Sequence, residues 1–259
     1  MNQEYAVSLK KFEKFLKNID IEKYSHLRTI KTVEQDMSPD LLPLEIYYKY
    51  FWESDDYKDY DEIFRIYWNE KLPYIYEFIK KFFYGCSLQF VEEGFKARLY
   101  RIWMSILTQF HFQYLWNKLF DEKLESNANL DGLGIDARFT KNGKIIGIQI
   151  KKISYRREVS DRRFTSRQQK YADIIVEVPY LVIDTDELQD KIKNPRTRET
   201  TKEQCRKALD IFNSNFLKHP NGFVIFNEDY LNKVYQKIMD KTSGVTKGNK
   251  ITYDEIIEW

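Results

Sequence analysis

Cysteine and histidine are scarce in this chain of 259 residues. The two cysteines, Cys86 and Cys205, cannot by themselves build a disulfide framework or a zinc site. The three histidines stand at positions 26, 111 and 219, without the spacing of metal ligands. Disulfide-stapled scaffolds and zinc modules are therefore excluded, and a reducing compartment is expected.

Glycine, proline and long apolar runs are scarce as well. With 9 glycines and 6 prolines, the chain is neither collagen-like nor of low complexity. No apolar stretch approaches the roughly 18 residues that cross a bilayer, and the first residues lack the apolar core of a signal peptide. Apolar residues still make up 42% and aromatic residues 16% of the chain, which excludes global disorder. We therefore expect a soluble, cytoplasmic globular protein without a membrane partner.

The charges are segregated, although the formal net charge is only +2. Residues 53–62 carry six acids and one base, whereas residues 151–170 carry eight bases and two acids. Five of the thirteen arginines lie between positions 156 and 167. Because the arginine fork matches phosphates and guanine edges, this cluster favours nucleic-acid binding. The charges alone leave open the alternative of a solvated face balanced by the acidic stretch.

Hydrophobic periodicity predicts an α/β protein with a mixed β-sheet flanked by helices and an N-terminal helical part. The predicted helices cover residues 5–18, 89–119, 200–217 and 228–240. The predicted strands lie within residues 133–151, 172–178, 180–184 and 222–226, with a break at Pro179. We expect a single domain over residues 1–259, composed of a mostly helical part (1–88), an α/β core (89–240) and a weakly specified C-terminal tail (241–259).

Residues 133–151 predict a β-hairpin around Asn142-Gly143, the strongest short-range signal for a two-residue turn. In the resulting register the opposed pairs are Lys141 with Lys144, Arg138 with Gly147, and Asp136 with Gln149. Side chains alternate between the faces of a strand. The predicted core face holds Ala137, Phe139, Ile146, Ile148 and Ile150. The opposite face holds Asp136, Arg138, Gly147, Gln149 and Lys151.

Asp136, Gln149 and Lys151 converge on this second face, where Gly147 is expected to leave space open. A carboxylate and an amide oxygen suit a hard cation such as Mg²⁺, which can activate water at a phosphate, and a neighbouring lysine can hold that water. The spacing is Asp, twelve residues, Gln-Ile-Lys, as in the PD-(D/E)xK nucleases, with Gln149 in the acidic slot. That motif is degenerate, so ordinary solvated strand residues are the alternative. The turn, the face alternation and the arginine cluster together favour a nuclease.

Gln149 removes one negative charge from this site, so another carboxylate is expected to compensate. Asp131, five residues before Asp136, is the first candidate, and Glu92 or Glu93 is the second. The alternative for Asp131 is a simple Asp-Gly turn.

Five collinear segments resemble one enzyme family. They are FEKFLKNIDIEKY, IKTVEQDMSPDL, WMSILTQFHFQYLWNKLF, LDGLGIDARF and IQIKKISYRRE. Together they are similar to the TaqI-type restriction endonucleases, and the resemblance runs from about residue 9 to about residue 160. It implies a restriction-endonuclease-like core and a type II enzyme that uses Mg²⁺ to cut double-stranded DNA at TCGA, between T and C. It also implies a homodimer on this palindrome and a companion adenine methyltransferase that protects the host.

The family pattern also implies roles for individual residues. Asp131 and Asp136 match the acids and Lys151 the lysine, whereas Gln149 departs from the usual acid and leaves the number of metal ions open. Asp136, the Gln149 side chain and the Ile150 carbonyl would hold Mg²⁺, Asp131 would complete the shell, and Lys151 would position the attacking water. The expected DNA contacts come from Lys152, Arg156, Arg157, Arg162, Arg163, Arg167 and Gln168, with Gln168 or Gln169 pairing with adenine.

Three other functions remain open at this point. A repair or junction-resolving nuclease on the same scaffold would cut by structure instead of sequence. A non-catalytic DNA-binding protein would use arginines for phosphates and aromatic rings for stacking. A purely structural protein would have no salt-dependent DNA affinity.

Overall fold

The computed structural model describes residues 3–153, 165–244 and 248–256. Its α-helices there are α1 Gln3–Asn18, α2 Leu44–Tyr48, α3 Tyr60–Phe82, α4 Leu88–Leu119, α5 Ala128–Gly132, α6 Thr185–Lys193, α7 Glu199–Asn215, α8 Glu228–Thr242 and α9 Tyr253–Ile256. Its strands there are β1 Ala137–Lys141, β2 Lys144–Ile153, β3 Ile174–Leu181, β4 Phe216–Lys218, β5 Val224–Phe226 and β6 Asn249–Ile251. The predicted α/β class, with a mixed sheet and an N-terminal helical part, is confirmed.

The chain divides into two compact units. The helical unit comprises Glu4–Tyr114 and Pro220–Phe223, and the sheet unit comprises mainly Leu115–His219 and Val224–Trp259. The division falls inside α4, after Tyr114. The single-domain organisation stays a prediction.

Hydrogen bonds within the helical unit engage two acids of the acidic stretch. Asp59 begins α3, because its carboxylate accepts from the Glu62 amide at 2.8 Å. The next acid, Asp61, accepts from Lys23 Nζ at 2.6 Å and from the Tyr24 hydroxyl at 3.0 Å. Burial alone would raise the pKa of Asp61, but these hydrogen bonds outweigh it and hold the pKa below its ordinary value. The acids of residues 53–62 therefore include members that stabilise their own unit.

The main sheet has the strand order β1-β2-β3-β6. β1 pairs antiparallel with β2, whereas β3 is parallel to both β2 and β6. Asn142 and Gly143 have φ values of 51° and 72°, as a type I′ hairpin turn requires. The predicted pairs Lys141–Lys144 and Arg138–Gly147 are confirmed. On the predicted core face, Ala137, Phe139, Ile146 and Ile148 are buried, and Ile150 is half-buried.

The predicted strand break at Pro179 is wrong, because β3 runs without interruption from Ile174 to Leu181. The Pro179 carbonyl accepts from the Tyr230 hydroxyl at 2.5 Å. Since a strand residue turns its nitrogen and its carbonyl to the same edge, the nitrogen of Pro179 also faces away from β2. β6 pairs only with residues 174–176 of β3. The missing N–H of proline therefore costs no hydrogen bond of the sheet.

The region after residue 200 contains the helices and the strand that the sequence predicts. β4 and β5 pair antiparallel in a separate two-stranded sheet, and α8 begins at the Asn227 cap. The segment expected to be a weakly specified tail supplies β6, whose residues 249–251 pair with β3. No helix in the described part of the chain is long and apolar enough to cross a membrane.

Candidate active site

Asp136 stands immediately before β1, and its main chain is held on two sides. Its amide donates to the Ile148 carbonyl at 2.9 Å, and its carbonyl accepts from the Ser126 hydroxyl at 2.6 Å. The residue is only 6% exposed, and Oδ2 accepts from the Ile150 amide at 2.6 Å. The structure therefore places the Asp136 carboxylate against the main chain of Ile150, between Gln149 and Lys151. The predicted convergence of the three side chains stays a prediction.

The donor atoms around Asp136 suit a hard cation. Since residue 150 turns its N–H towards Asp136, its carbonyl faces the same edge of β2. The Gln149 side chain is half-buried on the face of β2 that also carries Lys151. Among the described residues, no group of three or more His, Cys, Asp and Glu side chains could hold a metal ion. One carboxylate, one amide oxygen and one main-chain carbonyl still fit Mg²⁺, which takes its other ligands from water and phosphate.

A short loop connects Asp131 to Asp136. Asn127 begins α5, since its side chain accepts from the Leu130 amide at 3.0 Å. Asp131 is half-buried on α5, and its carbonyl accepts from the Gly134 amide at 2.7 Å. Gly134 has a φ of 77°, which glycine adopts without strain. Asp131 thus belongs to one helical turn, and not to an isolated Asp-Gly turn, directly before Asp136.

Gly147 does not leave open space beside the site, so this part of the prediction is wrong. A Cβ atom at this position would lie 2.7 Å from Ile175 Cδ1, 3.1 Å from Ala172 Cβ and 3.2 Å from Ile135 Cγ2. These residues belong to a small buried apolar cluster with Leu130. Gly147 therefore allows close packing of this cluster against β2.

Arg138, on the same face as Gly147, forms hydrogen bonds with other residues of the chain. Its guanidinium contacts the Glu125 carboxylate through Nε at 2.8 Å and Nη2 at 3.0 Å, and Nη1 donates to the Tyr171 carbonyl at 3.0 Å. The hydrogen bonds from Arg138 hold the pKa of Glu125 below its ordinary value. The forked pair links β1 to Glu125, and the hydrogen bond to Tyr171 links β1 to the segment before β3.

Sequence reasoning missed a buried acid beside Lys151. Glu177 on β3 is in register with Gln149 and is fully buried. Its Oε1 lies 3.4 Å from Lys151 Nζ and 2.8 Å from Lys250 Nζ. The available signal was one acid inside an otherwise apolar strand, IIVEV. Glu92 and Glu93, the second candidates for a compensating carboxylate, lie on α4 in the helical unit.

The expected DNA contacts are only partly described. Arg156, Arg157, Arg162 and Arg163 lie outside the described residues. Lys152 and Arg167 are exposed. Gln168 is only 9% exposed: Oε1 accepts from the Thr165 hydroxyl at 3.1 Å, and Nε2 donates to the Gly134 carbonyl at 3.3 Å. This arrangement favours a structural role, in which Gln168 holds the loop between Asp131 and Asp136. It does not favour the predicted contact of Gln168 with adenine.

The chain belongs to the TaqI restriction endonuclease family, whose model matches residues 9–238. The resemblance predicted from about residue 9 to about residue 160 is thereby confirmed and extended. The protein is thus an enzyme of the type II restriction class, a site-specific deoxyribonuclease acting on double-stranded DNA.

Two curated relatives cover almost the whole chain. It is 39% identical over 254 residues to the type II restriction enzyme TthHB8I of Thermus thermophilus, covering 96% of this chain and 94% of the relative. It is 37% identical over 258 residues to the type II restriction enzyme TaqI of Thermus aquaticus, covering 96% of each chain. No solved structure gives a significant match.

Proposed function

We propose that this enzyme cuts double-stranded DNA at TCGA, between T and C, with Mg²⁺ as its cofactor. The observation that carries the proposal is the convergence of Asp136 with the Ile150 main chain, within a chain similar to TaqI over nearly its full length. The specificity is inferred from the family resemblance, and the cofactor from the chemistry of the donor atoms.

Each residue of the site has a role in this proposal. Asp136, the Gln149 amide oxygen and the Ile150 carbonyl would hold Mg²⁺, and Asp131 would be a further ligand. A bound Mg²⁺ would supply positive charge at the scissile phosphate and would lower the pKa of a nearby water. Lys151 orients the attacking water in line with the phosphorus. As the water oxygen bonds to phosphorus, the water releases a proton to solvent. The P–O ester bond opposite the attacking oxygen breaks, and the leaving oxygen takes a proton from solvent.

The DNA contacts and the partners belong to the same proposal. Lys152 and Arg167, which are exposed, contact phosphates or base edges together with the arginines at positions 156, 157, 162 and 163. A homodimer acts on the palindrome, because two strands cut symmetrically call for two sites related by a two-fold axis. A companion methyltransferase modifies the same site in the cytoplasm.

The test is digestion of unmethylated plasmid DNA with Mg²⁺ and with a chelator, followed by mapping of the fragment ends. We expect discrete Mg²⁺-dependent cuts at TCGA that disappear when one base of the site is changed. Asp136→Asn should abolish cutting but keep salt-dependent DNA binding. The matched control is Asp210→Asn, an exposed carboxylate on α7, which should cut normally.

Three outcomes would contradict parts of the proposal. Discrete cuts at another sequence would overturn the TCGA specificity. Cuts at junctions or damaged sites without sequence preference would indicate a repair nuclease. Normal cutting by Asp136→Asn would remove Asp136 from the active site.

A further inference from the structure

A buried carboxylate lies between two lysines on the same face as the proposed metal ligands. β2 and β3 are parallel, and Gln149 is in register with Glu177, so the two side chains point to the same face, roughly 4.8 Å apart along the sheet. Lys151 follows two residues later on this face of β2. Lys250 reaches it from β6, where it is in register with Ile175.

The three charges are not equivalent. Lys250 Nζ lies 2.8 Å from Glu177 Oε1, and its side chain is 9% exposed. Lys151 Nζ lies farther away, at 3.4 Å, and its side chain is 33% exposed. An ammonium group has three donors, so Lys151 can contact Glu177 and still present donors to solvent. The geometry makes Lys250 the main counter-ion of Glu177 and leaves Lys151 oriented but accessible.

Stability alone is a weak reason for this arrangement. Glu177 is fully buried in an otherwise apolar strand, and replacement of a buried ion pair by apolar residues is often neutral or stabilising. A role in orienting Lys151 explains why a carboxylate is buried at position 177 and why its Oε1 atom faces Lys151.

We propose that Glu177, neutralised by Lys250, is a positioning residue that orients Lys151 towards the scissile phosphate. This inference rests on the proposed function and deepens it. It also assigns a purpose to the C-terminal segment, because β6 carries Lys250 into the sheet.

The first test follows cleavage and binding separately. Single-turnover cleavage of a TCGA duplex is measured with Mg²⁺, and affinity for the same duplex with Ca²⁺. We expect Glu177→Gln to slow cleavage about 10- to 100-fold, as for a misplaced catalytic group, while the Kd changes by less than about twofold. The matched control is Glu199→Gln, which removes an exposed carboxylate paired with Arg206 and should leave both quantities unchanged.

A paired substitution separates positioning from stability. Lys250→Met leaves Glu177 with a weaker counter-ion, so it should lower the melting temperature and slow cleavage. The double variant Glu177→Gln/Lys250→Met should recover the melting temperature, because no buried charge is left unpaired, but it should stay slow. Recovery of both quantities in the double variant would overturn the proposal and leave a purely structural ion pair.

A second readout needs neither metal nor DNA. In protein carrying isotope-labelled lysine, the NMR signal of the Lys151 side chain is assigned by its loss in Lys151→Arg. Glu177→Gln should shift this signal, and Glu199→Gln should not. An unmoved signal would overturn the inference even if the enzyme cuts TCGA. If the unaltered enzyme cuts no DNA, the proposed function fails, and the lysine signals still decide whether Glu177 positions Lys151.

Discussion

Gly147→Ala tests how closely the apolar cluster packs against the strand that carries the site. The added Cβ would lie 2.7 Å from Ile175 Cδ1 and 3.1 Å from Ala172 Cβ. Ile175 can rotate only within a buried environment, and the Cβ of Ala172 cannot rotate away. Overpacking of this kind costs typically 1–3 kcal/mol. We expect the free energy of unfolding to fall by about that amount, which lowers the melting temperature by about 2–4 °C for each kcal/mol.

A second substitution that removes the clash should restore part of the lost stability. Ile175→Val removes the Cδ1 atom that lies closest to the new methyl group, at a cost of its own of about 0.5–1.5 kcal/mol. The double variant Gly147→Ala/Ile175→Val should therefore be more stable than the sum of the single effects predicts, by about 1 kcal/mol. Denaturant unfolding of the four proteins measures this coupling.

The cleavage rate should follow the same pattern. Gln149, Ile150 and Lys151 lie two to four residues after Gly147 on β2, so a shift of this strand moves the Ile150 amide relative to Asp136. Single-turnover cleavage should slow in Gly147→Ala and recover in the double variant. A fully stable and fully active Gly147→Ala protein would refute the reasoning, because the cluster would then have room that the structure does not give it.

Three further predictions concern the loop, the helical unit and the turn. Gln168→Ala should lower the free energy of unfolding by about 1 kcal/mol and slow cleavage, because the hydrogen bond to the Gly134 carbonyl is lost. If the variant still discriminates between TCGA and its single-base variants, Gln168 positions the loop. Relaxed discrimination would indicate that Gln168 reads a base. The lowered pKa of Asp61 contributes stability that is complete above its ordinary value of 3.8 and is lost as the pH falls through the folded-state pKa. Urea unfolding should therefore show that Asp61→Asn is less stable than the unaltered protein at pH 7, and that the difference in unfolding free energy shrinks below about pH 4. A difference that does not depend on pH would contradict the role of the contact between Asp61 and Lys23. Asn142→Val should destabilise the hairpin by about 1–2 kcal/mol, because φ is 51° at this position. The control Asn142→Gly should not destabilise it, and equal melting temperatures of the two variants would refute this prediction.

Local signals in the sequence were enough to predict the hairpin and the position of Asp136 beside the segment that ends at Lys151. Asn142 and Gly143 determine the turn, because few other residue pairs adopt positive φ at both positions. The turn then determines the register, since the pairs on both sides follow by counting, and the register places Asp136 against the segment that ends at Lys151. The long helix α4 was equally readable, because the apolar period of a helix depends only on near neighbours. The family resemblance rests on the same kind of collinear, sequence-level evidence.

Contacts between distant segments decided the rest. Glu177 stands 28 positions after Gln149, and only the parallel pairing of β3 with β2 brings the two into register. Lys250 reaches the same face from β6, a strand of three residues that is too short for a periodic signal. The space at Gly147 depends on Ile175 and Ala172, and the tolerance of Pro179 depends on where β6 ends. The sequence by itself therefore determined the hairpin and the spacing from Asp136 to Lys151. The charges beside Lys151 were decided by the pairing of β3 with β2 and β6, because pairing between segments far apart in the chain follows no local spacing rule.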